Sequence, residues 1–151
     1  VKAGCDVSID LPYVDEHVIT IAVPRDQVWT ALRRYVTTSI GISESSPLAR
    51  VLGTAPRSGF QVVEEVPGDR LTLGGHHRFS RYELVFKLDG TADDSTVLRA
   101  QTYAAFPGIH GRIYRVLVIG TRAHALATRH MLHAVRQIST TRDGRRAAGP
   151  G

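Results

Sequence analysis

The first clear pattern in the chain is the run HVITIAV over 17–23, rich in β-branched residues, which sets Ile19, Ile21 and Val23 on one face of a predicted strand. Pro24 ends that run and suits the first turn of a helix, where its missing N–H is no loss. Over 25–36 the period becomes helical: Val28, Leu32, Tyr35 and Val36 share one side, with Trp29 beside them. Residues 37–47 are polar and turn-rich. Strand signals follow at 48–53, 60–66, 70–73, 79–88 and 96–106, separated by turn residues among which Pro67-Gly68 is the sharpest and Gly74-Gly75 another. Within 79–88, Tyr82, Leu84, Phe86 and Leu88 face one way and Arg81, Glu83 and Lys87 the other. Strands joined in sequence by tight turns make an antiparallel meander.

After Pro107-Gly108 only Gly120 interrupts a helical pattern over 111–138, which predicts one helix of roughly 40 Å. Ile113, Leu117, Gly120, His124, Ala127, Met131, Val135 and Ile138 fall on one stripe of it, the face expected to meet the sheet. Val118, Ile119, Leu126 and Leu132 lie off that stripe, so its flanks call for cover by the N-terminal arm or by a second subunit in a homodimer. The expected fold class is α+β: a curved antiparallel sheet of about six strands wrapped around the long C-terminal helix. Residues 1–16 read as an irregular arm, 17–138 as the domain, and 139–151 as a disordered basic tail.

Composition narrows the class without changing that picture. A chain of 151 residues fits one domain with a sizeable core. The single cysteine, Cys5, excludes an internal disulfide framework and a cysteine-based zinc site. No apolar run reaches the ~20 residues that span a bilayer, and no basic-then-apolar signal opens the sequence, so the expectation is a soluble, cytoplasmic protein. The net charge of +5 is uneven: Lys2 stands against Asp6, Asp10, Asp15 and Glu16 at the start, whereas 111–138 holds five arginines and no acid. Arg115, Arg122, Arg129 and Arg136 recur every seven residues opposite the apolar stripe, with His133 among them. That line is either a solvated face or a contact for an acidic surface such as anionic headgroups. Without interleaved aromatics or a recognition-helix motif, nucleic acid is not an expected partner.

The stretches VPRDQVW at 23–29 and AAFPGIHGRIYRVLVIGTRAHALATRHMLHAVRQI at 104–138, set at the two ends of this element order, resemble the START-like superfamily. This helix-grip group includes polyketide cyclases, lipid-transfer domains and pollen allergens, and the ending is most similar to a bacterial branch of it. The resemblance spans 17–138 and is structural. It implies a cavity between sheet and C-terminal helix that holds an apolar or amphipathic small molecule, lipid or polyketide-like, and it implies no reaction.

The small centre of the helical stripe, Gly120 and Ala127 between Leu117 and Met131, either admits a ligand or lets the sheet approach closely. Opposite it, strand parity puts Tyr82, Leu84 and Phe86 with Ala100, Thr102 and Ala104 on the inward faces. Glu64 joins them if Phe60, Val62 and Val66 face inward; equally, Glu64 and Glu65 straddle a bulge and both stay wet. His124 is a core histidine satisfied by one hydrogen bond, a polar handle for a ligand, or the base of a cyclase, aromatase or dehydratase. Binding without catalysis is the leading expectation. No cofactor is expected and no metal: His76-His77 are adjacent and point apart, His130 and His133 lack a nearby carboxylate, and no His-Glu-x-x-His set occurs.

Overall fold

The computed structural model describes residues 11–43, 60–77, 80–116 and 122–147. Five strands, β1 (Tyr13–Ile21), β2 (Gln61–Val66), β3 (Arg70–His77), β4 (Ser80–Gly90) and β5 (Thr96–Ala105), form one antiparallel sheet in the order β1-β5-β4-β3-β2. Three helices complete the described chain: α1 (Arg25–Ser43), α2 (Gly108–Arg115) and α3 (Ala123–Ala147). The arrangement is α+β and fits a helix-grip architecture, with five strands among the described residues where about six were expected. The expected strand at 48–53 lies outside them.

The meander owes its register to local chemistry. Gly68 takes φ +75° after Pro67, and the Asp69 N–H donates to the Val66 carbonyl at 3.0 Å, closing the β2–β3 turn. Gly74 and Gly75, expected as a turn, lie instead inside β3. A Cβ at Gly74 would stand 2.6 Å from Cγ2 of Val63, so the glycine makes room for Val63, the extra residue of a bulge between Val62 and Glu64. β1 starts earlier than expected, taking in Tyr13–Glu16 of the supposed arm because β5 offers its edge: Asp15 pairs with Thr102, and Glu16 with Gln101.

One core joins the inner sheet face to α1 and α3. Ile21, Leu71, Phe86, Leu88 and Leu98 from the sheet meet Val28, Leu32 and Val36 of α1 and Leu132 and Val135 of α3, all buried. The hydroxyl of Thr96, buried among them, donates to the Val23 carbonyl at 2.8 Å and ties the exit of β1 to β5. α3 packs chiefly along α1 and reaches the sheet at β1 and β5.

Among the described residues, the expected single C-terminal helix is two, α2 and α3. Arg122 adopts φ +57°, and α3 begins anew after it, the Leu126 N–H donating to the Arg122 carbonyl at 3.0 Å. A break resets the helical phase, so the buried side of α3 is Thr128, Leu132, Val135 and Ser139, with Met131 and Ile138 partly buried beside it. Ala127 is exposed, Ile113 is 56% exposed, and Leu132, expected on a flank, is fully buried. The continuous arginine line is likewise divided, Arg115 lying on α2 and Arg129 and Arg136 on α3. Nor is the tail irregular from 139: α3 runs to Ala147. Ser139 is buried and bonds back to the Val135 carbonyl, and Thr140 and Thr141 donate to the Arg136 and Gln137 carbonyls, so the hydroxyls are satisfied within the helix.

Candidate functional site

The inner sheet face has two ends. At the first, Ile19 and Ile21 of β1 pair with Leu98 and Thr96 and belong to the core under α1 and α3. At the second, the register places Asp15 beside Thr102, Thr102 beside Leu84 and Leu84 beside Leu73, while Ala104 lies beside Tyr82 and Tyr82 beside Gly75. Strand alternation produces both rows: residues two apart on β4 and β5 return to the same face.

The lining there is mixed. Leu84, Ala100 and Ala104 are buried, and Phe86 is completely so. Tyr82 is half-buried and meets Phe60 edge-on, with ring centroids 5.1 Å apart and planes at 73°. Thr102 and Ser80 bring buried hydroxyls, both engaged in polar contacts. On β1 the His17 ring nitrogen Nε2 lies 3.2 Å from Oδ2 of Asp15, with side chains 15% and 29% exposed. A carboxylate two residues away on the same strand face fixes the imidazole's orientation, and the pair stands at the margin between the apolar rows and water.

Sequence reasoning missed this pair, although its signal was present. His17 shares parity with Ile19 and Ile21, so the rule that turned the isoleucines inward turns the histidine inward too. Treating 1–16 as an arm removed Asp15 from the strand and hid its partner.

Of the residues singled out from the sequence, Tyr82, Leu84, Phe86, Ala100, Thr102 and Ala104 lie on the inner face. Glu64 does not. The bulge at Val63 reverses parity, putting Glu64 opposite Thr72 on the outer face, where Oε1 accepts from Nη2 of Arg70 at 3.2 Å. Glu65, paired with Leu71, reaches α1 through a 3.0 Å ion pair with Nε of Arg33. Met131 packs on the core and Ala127 is exposed. Leu117 and Gly120 lie outside the described residues; His124 falls in the first turn of α3, its side chain outside the description.

The shifted titrations lie off this face. On the outer face, a hydrogen bond from Gln101 and the Arg99 guanidinium hold the Glu16 carboxyl below its ordinary range against an opposing cost of desolvation. Arg99 in turn is raised by its bonds to Asp89 and Glu16. In the β4–β5 loop, Asp93 is lowered by the Thr91 hydroxyl, a backbone N–H and the Ser95 hydroxyl. Asp15 and His17 offer a metal two donors, and no group of three or more His, Cys, Asp or Glu side chains able to hold an ion occurs among the described residues.

No family model matches the chain, and no curated protein matches it. Solved structures do. A conserved protein from Geobacillus kaustophilus is similar at 15% identity and TM-score 0.50, covering 86% of this chain and 94% of its own. A protein from Rhizobium loti is similar at 18% identity and TM-score 0.51, covering 82% of this chain and 94% of its own. A truncated norcoclaurine synthase from Thalictrum flavum is a looser likeness, at 14% identity and TM-score 0.46 over 85% of this chain and 95% of its own, and nothing rests on it. What the first two establish is a shared fold.

Proposed function

We propose that the second end of the inner sheet face, beyond the cover of α1 and α3, binds an apolar or amphipathic small molecule, lipid or polyketide-like. The observation that carries this reading is the chemistry of the rows. Leu84, Ala100 and Ala104 suit a hydrocarbon or aromatic skeleton, Phe60 and Tyr82 supply an aromatic wall, and Asp15–His17 supplies one polar anchor at the margin. An amphipathic ligand would set its skeleton on the rows and its hydroxyl, carbonyl or carboxyl group on the imidazole. Apolar contact would provide most of the affinity, at ~25 cal/mol per Å² removed from water, and the anchor would provide orientation.

Native mass spectrometry of the purified protein, with solvent extraction of anything released, tests the reading. A stoichiometric amphipathic compound is the expected result. An apo mass together with silence in dye displacement by fatty acids and aromatic polyketides overturns it.

The Asp15–His17 pair also favours a second reading. An imidazole held by a carboxylate is the arrangement of a general base, able to enolise a carbonyl compound as a cyclase or dehydratase requires. His17 and His124 are the two imidazoles to replace; a carrier keeps most of its affinity without either, whereas an enzyme loses turnover with the one that acts as base.

A further inference from the structure

Where β5 ends, the chain turns into a short helix with its apolar side outward. Pro107 is extended, Gly108 takes φ +74°, and α2 begins. Gly111 then lies directly on the backbone of Phe106: a Cβ there would stand 2.7 Å from its carbonyl carbon, so one side of α2 is seated on the end of β5. At 100° per residue the opposite side carries Ile109, Ile113 and Val116. They are 74%, 56% and 68% exposed. Arg112, exposed, lies on the flank of this side, whereas Arg115, also exposed, lies nearer the Gly111 side; no Asp or Glu occurs anywhere from 95 to 142.

We propose that α2 docks the protein on an anionic lipid bilayer, with Ile109, Ile113 and Val116 inserted among the acyl chains and Arg112 on the headgroups. Charge complementarity selects an anionic surface, since five arginines stand in 111–138 without one acid to compete for them. The form of the patch favours a bilayer over a protein. Among the described residues the patch is three aliphatic side chains on two turns of helix, which cover far less than the ~800 Å² that each partner contributes to a stable protein interface, whereas a bilayer admits separate side chains without a complementary surface. No helix among the described residues is long and apolar enough to cross a membrane, so the contact is peripheral. This inference stands whether or not the inner sheet face holds a ligand.

The test is co-sedimentation of the full chain with vesicles of phosphatidylcholine alone and of phosphatidylcholine mixed with phosphatidylglycerol. Binding to the mixed vesicles, weakened by salt and by omission of the anionic lipid, is expected. The double variant Ile109→Ser/Ile113→Ser should reduce partitioning at least about tenfold, and Arg112→Glu by a similar factor. All three positions are exposed, so the thermal melts should match the parent and separate lost docking from lost folding. Absence of binding to mixed vesicles, or binding that survives the isoleucine pair, overturns the proposal. So does a dimer in sedimentation equilibrium that the isoleucine pair abolishes, because that outcome gives the patch to a second copy of the chain.

Discussion

β1 runs through two environments on one face. Ile19 and Ile21 sit where α1 and α3 close over the sheet, and Ile21 has no exposed surface. Two and four residues earlier, His17 and Asp15 occupy equivalent positions and retain 15% and 29% exposure. The backbone treats all four alike, pairing them in register with Thr96, Leu98, Ala100 and Thr102. What differs is the cover. Under the helices, side chains are chosen for shape; beyond them, a polar pair is tolerated because water still reaches it, and water-accessible polar groups beside an apolar surface are what a ligand site needs.

Mutation should separate the two ends, and the covered end should give the largest effect. Leu132→Ala, removing a fully buried side chain of α3, should cost about 2–5 kcal/mol in denaturant unfolding. Thr96→Val is nearly isosteric but leaves the buried Val23 carbonyl unpaired, and about 1–3 kcal/mol should be lost in the same measurement. At the other end, His17→Gln and Asp15→Asn should each move stability by less than about 1 kcal/mol while weakening an amphipathic probe only about two- to threefold in fluorescence titration. If the order reversed, with His17→Gln unfolding the protein and Leu132→Ala leaving it intact, the division of labour along β1 would be wrong.

The smallest expected effect lies on the opposite face of the same strand. The Glu16 carboxyl is held below its ordinary value in the folded chain, so its contribution to stability is present above the unfolded value of about 4.3 and is lost as pH falls through the folded one. Glu16→Gln should therefore flatten the acid limb of the stability profile and leave the profile above pH 6 nearly parallel to the parent. An unchanged acid limb would remove Glu16 from the balance.

The parts legible in the sequence are those where one local rule acts alone. β4 alternates without interruption from Tyr82 to Leu88, and its inner face is as the alternation predicts. The helical side of α1, with Val28, Leu32 and Val36 buried, is read as easily. What escaped depended on a single residue changing phase. Two valines followed by two glutamates carry no mark of which valine is the extra one, and the bulge at Val63 alone decides that Glu64 faces outward. The turn at Arg122 likewise rotates the stripe of α3 from Ala127 to Thr128 and Leu132, and arginine is no conventional sign of a left-handed backbone. The His17–Asp15 pair is a different failure: its parity was readable, and only the position of the strand's first residue was not.

The central claim is that a ligand sits at the Asp15–His17 end of the inner face. It is tested most directly by recording backbone amide shifts while the protein is titrated with 8-anilinonaphthalene-1-sulfonate, an amphipathic aromatic anion. The predicted result is a saturable set of changes centred on Asp15, His17, Tyr82, Thr102 and Ala104, with Ile21 and Leu98 still. Changes centred elsewhere, or none up to millimolar probe, would contradict it.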